Sequence, residues 1–171
     1  MHPYYHPLFL KFIVYFNRNQ DYFECHEVLE DYWKTFDHFN KNHPLTAFIL
    51  LSTGLYHWRR GNMNGATRTL VKAQSRFLLF HDNEIYKEKI DFQRLYDDTK
   101  AAILAVKNND SFFPVKLYIS SEQLQKLVDS LTATMELLPI GSDAVIHKHM
   151  LRDRSDILQL REEKKRGRSN Y

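Results

Sequence analysis

The residues that interrupt helices are few in this chain, and they stand at the ends of long uninterrupted stretches. The sequence has five glycines and five prolines in 171 residues. Such scarcity favours long helices, because Gly and Pro are the strongest helix breakers. The prolines fall where apolar periodic segments begin or end: Pro3, Pro7, Pro44, Pro114 and Pro139. The spacing therefore predicts an all-α protein.

Apolar residues recur at helical spacing in five successive stripes. The stripes predict helices over about 8–16, 22–36, 47–58, 66–80 and 84–106, with Asp21 and Asn62 as caps and Gly61 as a stop. Short connections favour antiparallel neighbours. We predict an antiparallel helical bundle of about five helices, formed by residues 1–109.

The remaining residues, 110–171, are predicted to be a linker and a C-terminal two-helix extension. Residues 111–119 are irregular or extended, Ser120 with Gln123 is typical of a capping box, and an apolar stripe follows to Leu138. A last helix is predicted from about Asp143. Because both helices carry apolar stripes, we expect the extension to pack on the body or on a second copy of the chain, with some preference for the body.

Charge is distributed unevenly, although the net charge is only +3. From Ala144 onward eight Lys/Arg face four Asp/Glu, a balance of +4, so the rest of the chain carries −1. Acids alternate with the bases of this tail, and no aromatic side chain is interleaved before Tyr171. We therefore favour a solvated helix end over a nucleic-acid-binding arm.

The sequence also favours a cytoplasmic location. The first residues lack the basic and apolar regions of a signal peptide. The longest apolar run, roughly 45–55, is shorter than the 18 or so residues that a bilayer needs. The lone Cys25 fits a reducing compartment.

One candidate polar site lies on the second predicted helix. At 100° per residue, His26 falls about 20° from Trp33 inside the apolar stripe, and Glu30 follows one turn later. We predict a buried His26–Glu30 hydrogen bond as a structural pair. Glu24 would complete a capping box with Asp21, and Glu27 would lie on the rim, within reach of Lys34 or Arg60.

The second candidate segment spans the end of the third predicted helix. His57 lies at the border of its apolar stripe, and Asn62 caps the next helix. Trp33 and Trp58 are predicted to anchor the core. If the second and third helices are neighbours, His57 approaches the level of His26 and Glu30 or misses it by one turn.

Two helical metal motifs, those of zincins and of di-iron bundles, are absent from the sequence. A zincin helix needs a second His where Glu30 stands, and no Glu is followed by a His three positions later, as di-iron bundles require. A mononuclear site from His26, Glu30 and His57 is the metal site that stays open, because these ligand types suit zinc or iron. We expect no cofactor.

The two polar segments carry a family resemblance. The pattern Tyr-Phe-Glu-x-His-Glu-Val-Leu-Glu-x-x-Trp, then Leu-Tyr-His-x-x-x-Gly-Asn-x-x-Gly-Ala and Lys72-Ala73, resembles the domain of unknown function DUF309 over roughly 8–106. The resemblance implies a compact helical bundle of bacteria and archaea with no established activity. Thr46 stands where some relatives carry glutamine, and the C-terminal helices extend beyond the minimal domain.

Three functional hypotheses follow from the sequence. The first is a non-catalytic interaction or scaffold protein, with a homodimer as the candidate assembly. The alternative is a small-ligand, metal-binding or hydrolytic site built from His26, Glu27, Glu30 and His57. The third is weak nucleic-acid association through the basic tail.

Overall fold

The computed structural model describes residues 1–38 and 40–168, with the backbone alone for 152–160 and 168. The all-α class is confirmed, and the part of the chain so described contains no β-strand beyond one isolated antiparallel bridge, Ile90–Ile119. The α-helices, in chain order, are α1 (Pro7–Val14), α2 (Tyr22–Trp33), α3 (Leu45–Arg59), α4 (Met63–Phe77), α5 (Phe92–Lys107), α6 (Glu122–Thr132), α7 (Asp143–Ile146) and α8 (Lys148–Arg168).

Helix α3 lies at the centre of the body. It packs against α2 on one side and most extensively against α4 on the other, while α1 packs on α2 and α5 on α4. Between α3 and α4 the predicted stop and cap are confirmed: Gly61 has φ +81°, and the Asn62 side chain accepts the Gly65 N–H at 3.1 Å. The short connection makes α3 and α4 a helical hairpin.

A glycine permits the close approach of α3 to α4. A Cβ atom added at Gly54 would stand 2.6 Å from Cγ and Cδ2 of Leu70, which is fully buried. Any other residue at this position would push the two helices apart or displace a core side chain.

Aromatic side chains fill the core on either side of this contact. Tyr4 stacks on Phe9 with ring centroids 4.2 Å apart, and Phe48 meets Phe12 at 5.4 Å and Phe77 at 5.8 Å. Trp58 is buried as predicted, whereas Trp33 is only partly buried at the edge of the core and also lines a cavity.

Several predicted helix boundaries were wrong, because capping groups and backbone conformation, rather than the apolar stripes, set the observed helix ends. The fifth helix begins at Phe92 rather than near residue 84, since Lys89 adopts φ +71° and Asp91 caps the Arg94 N–H. Ser121 rather than Ser120 caps α6, which ends at Thr132 instead of reaching Leu138. The final helix begins at residue 143 as predicted but breaks at His147, which separates α7 from α8.

The segment between α5 and α6 is held by hydrogen bonds and packing against the body, residues 1–109. The Asn17 side chain donates to the Leu117 carbonyl at 2.8 Å and accepts the Leu117 N–H at 2.9 Å. Val115, Leu117, Leu124 and Val128 are buried, and α6 packs on α1. This packing agrees with the expectation that the extension covers the body, while the proposed division at residue 109 stays a prediction.

Over the described residues, no helix combines the length and the apolar character needed to cross a membrane.

Candidate functional site

A cavity of about 170 Å³ lies between α2, the end of α3 and the start of α8. We call it the His57 cavity. Its walls are mainly aromatic and imidazole side chains, together with the aliphatic hydroxyl of Thr53 and one guanidinium group: Tyr22, Phe23, His26, Thr53, Tyr56, His57, Arg60 and His149.

Helical spacing gathers most of these side chains. On α2, Tyr22 and His26 are four residues apart and therefore share a face. The wall from α3 consists of Thr53, Tyr56, His57 and Arg60, at positions i, i+3, i+4 and i+7 of one stripe. Because α2 and α3 are packed neighbours, the two faces meet.

The predicted His26–Glu30 pair forms, but it is not buried. His26 Nε2 lies 3.1 Å from Glu30 Oε1, and Nδ1 lies 3.2 Å from Glu27 Oε1. The His26 and Glu30 side chains remain 29% and 32% exposed. Cys25 and Leu29 occupy the core-facing positions of this helix and leave His26 at the cavity wall. The prediction of a buried pair was therefore wrong in its burial and right in its partners.

His57 lies at the same cavity as His26, so the register between α2 and α3 brings the two predicted histidines together. Its Nδ1 lies 3.3 Å from Nδ2 of Asn62. Partial burial lowers the pKa of His57, and the charges of Arg60, His149 and Arg68 lower it further. The imidazole is thus held in its neutral form at neutral pH. Glu27 and Glu30 contact His26 but do not line the cavity.

Sequence reasoning missed six of the eight wall residues, among them Tyr22, Arg60 and His149. Arg60 could have been predicted from the sequence by extending the α3 stripe one turn beyond His57. His149 carried no local signal, because it reaches the cavity only through tertiary packing. Its Nδ1 lies 2.5 Å from the Tyr56 hydroxyl, which also accepts the His149 N–H at 3.2 Å.

Three consecutive residues at the start of α8 attach this segment to α2 and α3. Lys148 Nζ donates to Asp21 Oδ2 at 2.6 Å and lies 3.2 Å from Glu24 Oε1. Arg60 Nη2 in turn donates to Met150 Sδ at 3.3 Å. Together with His149, these contacts form what we call the α8 clamp.

The α8 clamp explains why the capping box predicted for Asp21 and Glu24 forms only in part. Asp21 accepts the Glu24 N–H at 3.2 Å, as predicted. The Asp21 N–H, however, donates to the Tyr15 carbonyl at 3.0 Å, and the Glu24 carboxylate reaches Lys148. Only half of the box is present, because the basic side chain from α8 attracts both carboxylates.

Two polar atoms of wall residues are buried without a hydrogen-bond partner in the described structure. They are the Tyr22 hydroxyl and Nε of Arg60. Burial raises the pKa of Tyr22 well above its ordinary value, so the phenol stays protonated and can donate. Buried donors without acceptors cost free energy and call for an explanation.

A metal centre is not assembled by the predicted ligands. Among the side chains that the structure describes, no group of three or more from His, Cys, Asp and Glu is placed to hold a metal ion. The candidate ligands His26, Glu30 and His57 are therefore not brought together as a metal site. The two histidines share a cavity, while Glu30 binds the outer side of His26.

The single cysteine offers no nucleophile to this cavity. Cys25 is fully buried, and its thiol lies 3.7 Å from the Phe12 carbonyl. Burial raises its pKa well above the ordinary value, and the nearby Asp21 carboxylate adds to the effect. Because the thiolate is the reactive form, this group is chemically quiet.

Comparison with known proteins places the two polar segments in one family model. Residues 9–69 match the domain of unknown function DUF309. The predicted resemblance is confirmed, over a shorter range than 8–106. The match covers His26, His57, Arg60 and Asn62 but not His149, so it contains the α2 and α3 walls of the cavity without the clamp.

A curated relative extends the similarity further along the chain. The uncharacterised protein YpuF of Bacillus subtilis (strain 168) is 29% identical over 160 residues, which span 90% of this chain and 91% of the relative. No solved structure matches the chain. The similarity to the relative continues past the family segment into the region of α6 and the clamp.

Proposed function

We propose that this protein binds a small organic anion, a carboxylate of a few heavy atoms, in the His57 cavity. The observation that carries the proposal is the pair of buried donors without partners, Tyr22 Oη and Arg60 Nε, on residues that line the same cavity. An anionic oxygen would satisfy both donors. The guanidinium charge of Arg60 favours it, since no carboxylate side chain of the described residues lines this space.

The size and the walls of the cavity restrict the ligand. A volume of about 170 Å³ limits the ligand to a small molecule. The apolar part of the ligand would lie against Phe23 and Tyr56, and neutral His57 would supply a further hydrogen bond. This proposal develops the small-ligand alternative and assigns its recognition to donors rather than to the carboxylates Glu27 and Glu30.

An NMR titration of the isotope-labelled full-length protein tests the proposal. The probes are acetate, propionate, pyruvate and inorganic phosphate, and the readout is the imidazole C–H signals of His57 and His149, assigned from His→Gln variants. We expect at least one carboxylate to bind with a free energy of about −4 to −8 kcal/mol, which corresponds to millimolar to micromolar dissociation constants. No signal change with any of the probes would contradict the proposal.

A phenol-to-phenyl substitution separates binding from folding. Tyr22→Phe removes a buried donor that has no partner, so the protein without ligand should be as stable as wild type or slightly more so. The affinity for the bound carboxylate should fall by about tenfold, the cost of one hydrogen bond to a charged group. Tyr96→Phe, on α5 and outside the cavity, is the matched control. Equal affinity of Tyr22→Phe and wild type would exclude the assigned role of the phenol.

The other functional hypotheses stay predictions. These are the scaffold role, the homodimer, the cytoplasmic location and the weak association of the tail with nucleic acid. Part of the tail, 169–171, lies outside the described residues, and for 152–160 and 168 only the backbone is described.

A further inference from the structure

A second cavity lies at the opposite end of α3 and has a different chemical character. We call it the Trp33 cavity. Its volume is about 410 Å³, within the range of roughly 300–1,000 Å³ that is usual for small-molecule sites. It is bounded by the end of α2, the segment before α3, the first turns of α3 and the last turns of α4: Trp33, Lys41, Thr46, Ile49, Leu50, Lys72, Ser75 and Arg76.

Three cations line this cavity, and no acid does so within the described part of the chain. They are Lys41, Lys72 and Arg76. Lys72 and Arg76 stand four residues apart on α4, where like charges repel. Among the residues whose side chains the structure describes, none forms an ion pair with any of the three. Nη1 of Arg76 is also buried without a hydrogen-bond partner. Lys41 and Lys72 are exposed to solvent, and a bound anion would supply the acceptor that the buried Nη1 of Arg76 lacks.

The remaining walls are flat or apolar. The Trp33 indole is held in place because its Nε1 donates to the Asn40 carbonyl at 3.1 Å. Ile49 and Leu50 supply an aliphatic surface from α3. The Thr46 hydroxyl lies 2.7 Å from the His43 carbonyl and 3.0 Å from that of Lys41, which ties the backbone of Lys41 to the start of α3. Thr46 thus acts as a positioning residue in this cavity.

We infer that the Trp33 cavity binds a phosphate monoester that carries a flat ring, with a nucleoside monophosphate as the matching class. Lys41, Lys72 and Arg76 hold the phosphate, since guanidinium and ammonium groups are its usual partners. The base lies against the Trp33 indole, because aromatic side chains bind the faces of bases with little sequence preference. The site is separate from the His57 cavity and requires no ligand there.

Calorimetric titration of the full-length protein with AMP, adenosine and inorganic phosphate tests the inference. We expect AMP to bind, and adenosine and phosphate each to bind about tenfold more weakly, because each lacks one of the two recognised parts. Equal affinity for AMP and inorganic phosphate would overturn the role of the ring. Binding of a single-stranded oligonucleotide without any binding of AMP would overturn the inference in favour of a nucleic-acid surface.

Substitutions at the two ends of the cavity sharpen the test. Lys72→Gln and Arg76→Gln should each weaken AMP binding by about tenfold, whereas Lys116→Gln, at an exposed lysine outside the cavity, should not. Trp33→Leu should weaken AMP and leave phosphate unchanged, with circular dichroism as a check of folding. Since Lys72 is exposed on α4, its variant keeps the test valid if Trp33→Leu fails to fold. Unchanged AMP affinity in both charge variants would refute the site.

The same variants keep the two cavities distinguishable. Tyr22→Phe should leave AMP binding intact, and Lys72→Gln should leave carboxylate binding in the His57 cavity intact. Loss of both activities in either variant would overturn the assignment of two independent sites.

Discussion

The two ends of α3 each place charged side chains beside an aromatic core, but the charges are balanced differently at the two ends. At the Leu45 end, the cations of the Trp33 cavity have no acidic neighbours in its walls among the residues that the structure describes. At the Arg59 end, the carboxylates of Asp21 and Glu24 meet Lys148 of the α8 clamp, and the cavity walls keep only neutral or cationic groups. The comparison teaches that packing supplies a counter-charge at the Arg59 end, through Lys148, whereas no acidic side chain in the described walls does so for the cations at the Leu45 end.

The largest expected effect comes from breaking the α8 clamp. Asp21 is 1% and Lys148 14% exposed in their ion pair. Lys148→Met leaves a buried carboxylate without its cation and should lower the free energy of unfolding by about 3–5 kcal/mol. Lys126→Met is the matched control, because its pair with Glu122 is 74% and 84% exposed and should contribute at most about 1 kcal/mol. Chemical denaturation measures both, and equal losses would show that the clamp contributes no more than a surface pair.

An intermediate effect is expected at the middle of α3, between the two cavities. Gly54→Ala places a Cβ atom against buried Leu70 and should destabilise the protein by about 1–2 kcal/mol, after the gain in helix propensity is included. Both binding activities should weaken together, because both cavities depend on the position of α3.

Gly167→Ala is the control for the propensity gain, since a Cβ there meets nothing within 4 Å. Thermal melts measure the stability of both variants, and the carboxylate and AMP titrations measure their binding. A Gly54→Ala protein as stable as wild type would show that the α3–α4 contact relaxes without cost.

A smaller effect is expected for the His26–Glu30 pair. Because both side chains are about one third exposed, Glu30→Ala should cost about 0.5–1 kcal/mol rather than the larger penalty of a buried pair. A double-mutant cycle with His26→Gln isolates the interaction. A coupling of about 2 kcal/mol or more would restore the interpretation of a buried structural pair.

The smallest effect concerns pH, and it appears at both ends of α3. Burial lowers the pKa of His43, whose Nδ1 accepts the Leu45 N–H at 3.1 Å, and that of His57, where Arg60 and other cations also contribute. A base with a lowered pKa binds fewer protons in the folded state than in the unfolded chain. Its contribution to stability should therefore fall as the pH drops below about 6.5, until the folded-state pKa is passed.

Denaturation curves between pH 7.5 and 5 check this prediction. His43→Gln and His57→Gln should each reduce the dependence of stability on pH. Arg60→Gln should reduce only the part of this dependence that comes from His57. A pH dependence that is unchanged in all three variants would exclude both histidines as its source.

Much of the fold and part of the site were predictable, because they depend on neighbours within one or two helical turns. The caps at Asp21 and Asn62, the stop at Gly61 and the partners His26 and Glu30 are all contacts between residues at most four positions apart. Helical geometry alone brings such residues together. The same rule would have placed Arg60 beside Tyr56 and His57.

Tertiary structure alone decided the burial of these groups and the chemistry of the cavities. His26 was predicted inside the core, but the packing of α2 on α3 left it at a cavity wall. His149 and Lys148 reach α2 and α3 from near the C-terminal end of the chain, and Trp33 lies at the edge of the core, where it lines one cavity with Lys72 and Arg76 of α4. Periodicity gives the face of each helix. Which charges and cavities that face meets depends on partners distant in sequence, and only the packing of the whole chain sets them.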